Sequence, residues 1–205
     1  MKKTGIILLC FAATLANYFS SMLMEEILEL PLFLDTVFTL TVTFAAGLVP
    51  GILTAALTTL AIGLWRYPFL GIYLYVLCSI AAAWLVWAFR DKIIFTFPSR
   101  RSSEFQFSVV SCVSVLVCLS VLMCLLMSVT GGLISYVNIE LLQNPESSGS
   151  PETPFYWGLI LNGFSVLPAS ILARIPVNIL DRFISVFAGY GTAFAVKKFA
   201  AKNPE

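Results

Sequence analysis

Five polar side chains stand where apolar runs begin, and they are the residues of this chain that could do chemistry. Asp35 opens one run; Arg174, Asn178, Asp181 and Arg182 crowd the start of another, around Pro176. An ionised group near a hydrocarbon core is costly and needs a partner or a task. Two arrangements meet that need. One is a structural ion pair, Arg174 to Asp181 or Asp35, with long side chains reaching back to the interface. The other is the polar lining of a pocket for a small molecule that opens on one side of a helical bundle. Asp35, Thr39 and Thr43 step by four and so share a helix face, as do Thr54 and Thr58, while Asn178 and Asp181 stand three apart. Threonine in an apolar helix also bonds its own preceding carbonyl, so both arrangements remain open on this pattern. Tyr136, Tyr156 and Trp157 belong to the same side, either as an interfacial aromatic belt or as a stacking surface for a planar ligand.

The chemistry that is missing is as informative. The sequence has no histidine, which excludes histidine-based triads, metal sites and proton relays. Cys10, Cys78, Cys112, Cys118 and Cys124 all sit inside apolar runs with no CxxC pair, and read as small hydrophobic fillers. No Walker A, GxSxG or acidic metal cluster is present, so the expectation is a non-enzymatic protein without a cofactor. Nothing in the chain suggests a nucleic-acid partner. Uphill movement of a solute would draw its energy from a partner or an ion gradient.

The elements that must position these residues follow from composition. Of 205 residues, 59% are hydrophobic and only 11% charged. Soluble domains carry about 45–50% apolar and about 25% charged residues. The chain therefore reads as a single all-α integral membrane domain over residues 1–205. Apolar runs at 5–24, 31–47, 49–64, 69–89, 106–128 and 176–196 predict six spans. The second and third are short and joined by Gly47-Leu48-Val49-Pro50-Gly51, a turn signal that predicts a hairpin shielded by neighbours. The run 155–172, interrupted by Asn162, Gly163 and Pro168, predicts a re-entrant or interfacial helix. Lys2 and Lys3 ahead of the first run resemble a signal-peptide start, but the cleavage pattern is imperfect and a retained first helix is expected.

Lys2, Lys3, Arg90, Lys92, Arg100, Arg101, Lys197, Lys198 and Lys202 make up nine of the 12 basic residues. Six spans place all nine on one side, which the positive-inside rule makes the cytoplasm, with both termini there. Glu25, Glu26, Glu29, Glu140, Glu146 and Glu152 fall on the other side, with a polar outer loop over 137–154. Ala12 and Ala16 form a small-residue face on the first helix that admits a close helix neighbour.

Two stretches add a resemblance. Leu30-Pro31-Leu32-Phe33-Leu34-Asp35-Thr36, followed by the Gly47–Gly51 turn, is similar to the second and third helices of the substrate-binding S components of energy-coupling factor (ECF) transporters. Arg174-Ile175-Pro176-Val177-Asn178-Ile179-Leu180-Asp181 resembles the P-F-N-L-x-K-G start of the last helix in the riboflavin-type S component. The resemblance implies an S component of an ECF-type importer in a bacterial plasma membrane. It would capture a vitamin or similar nutrient from the outer face and work with a coupling transmembrane subunit and ATPase subunits. Ala12 and Ala16 would meet the coupling subunit, and Asn178 would point into the pocket. Asp181 falls close to the place of the motif's lysine, and this reversal of charge counts against riboflavin itself. A membrane sensor or scaffold with the same fold is the alternative. The substrate-binding residues on this reading are Asp35, Thr39, Trp157, Arg174, Asn178 and Asp181.

Overall fold

A computed structural model of the chain describes residues 3–65, 70–93, 104–143 and 150–202. The described residues are mainly helical and contain no strands. The first helix, α1 (Lys3–Met22), runs on through a π-helical turn at Leu23–Ile27. Then come α2 (Val37–Ala46), α3 (Leu48–Trp65), a 3-10 segment (Leu70–Tyr75) leading into α4 (Val76–Phe89), and a second 3-10 turn at Arg90–Lys92. The long α5 (Glu104–Glu140) is followed by α6 (Thr153–Leu161), α7 (Val166–Leu172) and α8 (Arg174–Lys202). Lys2, Arg100, Arg101 and Glu146, with most of the polar part of the outer loop, lie outside the described residues.

Four helical stretches are long and apolar enough to cross a membrane: Lys3–Ile27, Leu48–Trp65, Leu70–Lys92 and Glu104–Glu140. Their outward faces carry large exposed apolar side chains, among them Phe11, Leu53, Trp84 and Leu125. Water does not tolerate apolar surface on that scale in a soluble monomer, and lipid does. The other two anticipated spans differ from expectation. At ten residues α2 is about 15 Å long, half of a roughly 30 Å hydrocarbon core. Residues 31–36 of the anticipated second span are not helical. Pro31 biases Leu30 away from helix, and Leu34 sits at a φ of 43°. The face shared by Asp35, Thr39 and Thr43 is therefore corrected: Thr39 and Thr43 lie on α2, and Asp35 precedes it. The final helix has length to spare at 29 residues, but Asp181, Arg182, Lys197 and Lys198 dilute its apolar character. At 37 residues α5 is far longer than the anticipated 106–128.

The short α2 is the hub of the bundle and packs against α1, α3, α4 and α8. Its Leu40 and Phe44 enter the main core with Ala82, Val86, Leu119, Met123 and Val186. Close approach needs small partners. A Cβ on Gly189 of α8 would sit 3.0 Å from the Val37 carbonyl oxygen and from Leu40 Cβ. A Cβ on Gly51 would collide with the Thr43 hydroxyl, which explains why Gly51 belongs to α3 where it faces α2, while only Gly47 makes the turn. At φ 102°, Gly47 adopts a conformation that only glycine visits cheaply.

The anticipated helix over 155–172 divides into α6 and α7 at Asn162–Ser165, where Gly163 takes φ 86°. Pro168 does not interrupt it. It falls in the first turn of α7, where a missing N–H is harmless. Gly132 of α5 admits α7: a Cβ there would stand 2.7 Å from the Ile171 Cα.

Candidate functional site

On α8, Arg174, Asn178 and Arg182 step by four, so all three side chains leave one face of its first two turns. Pro176 is tolerated there because first-turn amides have no intrahelical partner. Each of the three meets a different element.

Arg174 forms an ion pair with Glu152, the residue ahead of α6. Its Nη2 also donates to Ser135 Oγ of α5 at 2.6 Å and to the Tyr75 hydroxyl at 3.0 Å. The Tyr75 and Ser135 oxygens are 2.9 Å apart, and the guanidinium carbon lies 5.3 Å from the centre of the Tyr75 ring. Space for this cluster comes from Gly131, where a Cβ would come within 3.3 Å of Arg174 Cδ. Asn178 Nδ2 donates to Ser128 Oγ at 3.0 Å, both groups being buried.

Arg182 makes the second knot. It pairs with its neighbour Asp181, stands 3.8 Å from Asp35 Oδ1, and donates to Thr36 Oγ1 at 2.7 Å. Asp181 Oδ1 accepts the Leu34 amide at 2.8 Å, while the Leu34 carbonyl accepts Ser20 Oγ at 2.7 Å. These two bonds hold Leu34 in a left-handed conformation that a branched side chain rarely adopts.

Between the two knots lies a cavity of about 150 Å³ that opens to the surface. Small-molecule sites are mostly apolar with a few placed polar groups. The apolar lining includes Phe33, Ile62, Ile72 and Met127, and the polar lining Glu25, Asp35, Tyr75, Ser135, Asn138, Glu152, Arg174, Asn178 and Arg182. Glu25 is held by Ser21 Oγ, which donates to its carboxylate at 2.9 Å.

Asp35, Arg174 and Asn178 are thus brought together as cavity lining. Three other anticipated residues are not. Asp181 is fully buried behind the wall, occupied by Arg182 and the Leu34 amide. Thr39 faces α1, where its hydroxyl accepts Asn17 Nδ2 at 2.9 Å. Trp157 is half exposed on α6 and stacks edge-on with Tyr156, away from the cavity. The anticipated pairings are corrected as well: Arg174 takes Glu152, and Arg182 takes both aspartates. On α1, Ala12 is exposed and Ala16 half-buried. Lining residues that sequence reasoning missed include Glu25, Tyr75, Ser135, Asn138 and Glu152. Arg182 stood among the polar residues of the last run but not among the substrate-binding ones; its signal was the four-residue step from Arg174 through Asn178.

The far end of the bundle has the opposite character. There Arg90 lies against the Gly47 turn, with its Nη1 3.3 Å from where a Gly47 Cβ would stand, and within electrostatic reach of Lys197. No family model, curated protein or solved structure matches this chain.

Proposed function

We propose that this chain is a multi-pass subunit of a bacterial plasma membrane that binds a small nutrient on the outer side, as the S component of an ECF-type importer. The observation that carries the reading is the cavity with two anchored arginines, set at the end of the bundle away from Arg90 and Lys197. A positive-inside orientation turns the basic end to the cytoplasm and the cavity outward. The family assignment draws on the Leu30–Thr36 and Arg174–Asp181 stretches. In this reading α2 and α8 complete six spans, the ten residues of α2 being sheltered by α1, α3, α4 and α8. Ala12 and Ala16 then face a coupling subunit that works with ATPase subunits. The protein binds and delivers, and does not catalyse.

Orientation has a direct test. Cysteine placed at Lys92 should react with a membrane-impermeant maleimide only after the cells are opened, and cysteine at Leu141 should react in intact cells. Both sites are exposed. Labelling of both from the same side would contradict the six-span arrangement.

Function is tested by native mass spectrometry of the full chain purified in mild detergent. The expected spectrum contains a retained small molecule, with coupling and ATPase subunits in the co-purified fraction. A retained molecule with a signalling partner instead would favour a sensor on the same fold. A bare chain, with no added mass released on activation, would overturn the binding reading.

A further inference from the structure

The arginines of the cavity are already engaged by the protein itself. Arg174 is held by Glu152, Ser135 and Tyr75, and Arg182 by Asp181, Asp35 and Thr36. Among the described residues, the charged lining is Glu25, Asp35 and Glu152 against Arg174 and Arg182. Asp181 stands directly behind Arg182, so carboxylates outnumber guanidiniums around the space.

Among the lining side chains, the buried atoms left without a hydrogen bond are two donors, the Nε atoms of Arg174 and Arg182, and three acceptors. Glu152 uses Oε1 on Arg174, and its Oε2 is buried without a hydrogen bond. Asn138 Oδ1 and Asp35 Oδ1 are likewise buried without one. All three residues line the same cavity, and the Glu152 side chain is only 4% exposed. Buried acceptors left open carry a desolvation cost that an incoming donor removes. An anion could reach the two open Nε donors only against the excess of carboxylates around the space; an ammonium group is attracted by that excess and brings three donors to the open acceptors.

We propose that the cavity selects a cationic, donor-bearing organic molecule: an amine whose apolar or aromatic body lies along Phe33, Ile62, Ile72 and Met127. This specifies the ligand class of the proposed nutrient site and rests on that reading. A hydrogen bond to a charged group is worth roughly tenfold or more in affinity.

The test uses three probes of one shape: tyramine, its neutral alcohol tyrosol, and the anion hydroxyphenylpropanoate. Binding to the full chain in detergent is measured by isothermal titration calorimetry. Tyramine should bind at least about tenfold tighter than the anion, with tyrosol between. Asn138→Asp, which replaces an open amide oxygen by a carboxylate of the same shape, should tighten tyramine further. Equal or tighter binding of the neutral or anionic probe would overturn the cationic class while leaving a small-molecule site in place. Failure of tyramine to bind would also overturn the class. The retained-molecule measurement above then decides separately whether the binding reading stands.

Discussion

Replacing Asp181 by alanine is expected to lower the unfolding free energy by about 3–5 kcal/mol, the cost of leaving one partner of a buried ion pair uncompensated. Asp181 is 0% exposed. It neutralises Arg182 and accepts the Leu34 amide. Without it, Arg182 keeps only Asp35 at 3.8 Å for charge, and the Leu34 N–H loses the acceptor that helps hold φ at 43°. Asp35→Ala should cost less, because its side chain is 31% exposed and its pairing with Arg182 is looser. The penalty belongs to the unpaired charge and not to the net worth of the pair. Asp181→Leu combined with Arg182→Met should therefore recover most of the loss. Unfolding of the purified variants in a graded detergent titration measures all four proteins. An Asp181→Ala midpoint equal to wild type would mean that Arg182 is hydrated through the cavity, which would relocate the cavity floor.

The same residues separate what could be read in the sequence from what could not. Composition and run length brought out α1, α3, α4 and α5, because apolar length is a property of each segment alone. The end of α2 was legible in the Gly47 turn, but its start was not, because that start depends on partners more than a hundred residues away: Asp181 bonds Leu34, and Arg182 bonds Thr36. Arg174, Asn178 and Asp35 could be picked out as expensive residues near apolar runs. Their partners could not. Glu152 looks like one more acid of a polar loop until α8 brings Arg174 beneath it. Tyr75 and Ser135 look like ordinary interfacial and helical residues. Thr39 fitted the helical spacing of a pocket face but points to α1, since spacing fixes which residues share a face and not what that face meets.

That contact between α1 and α2 leads to the second large effect, at Asn17. Ten-residue α2 has no cap of its own: Thr36 occupies the N-cap position without a side-chain cap bond, and its hydroxyl is taken by Arg182. Asn17 of α1 supplies what is missing. Its Oδ1 accepts the Phe38 amide at 2.9 Å, one of the first-turn donors that a helix cannot satisfy internally. Its Nδ2 donates to Thr39 Oγ1 at 2.9 Å and to Thr58 Oγ1 at 3.2 Å, tying α1, α2 and α3 together. The residue is 0% exposed, so no water replaces these bonds when the side chain is cut back. Asn17→Ala strands one part-buried backbone donor and two buried hydroxyls; at roughly 1–3 kcal/mol for each buried group left unsatisfied, a loss of about 3 kcal/mol is expected. Thr58→Ala removes a single acceptor and should cost about 1 kcal/mol. Because Asp35 and Thr36 stand at the capped end of α2, Asn17→Ala should also weaken binding in the cavity it does not touch, whereas Thr58→Ala should leave binding unchanged. Detergent-titration midpoints and tyramine titrations on both variants distinguish them. An Asn17→Ala loss no greater than that of Thr58→Ala would mean that the start of α2 finds its cap elsewhere.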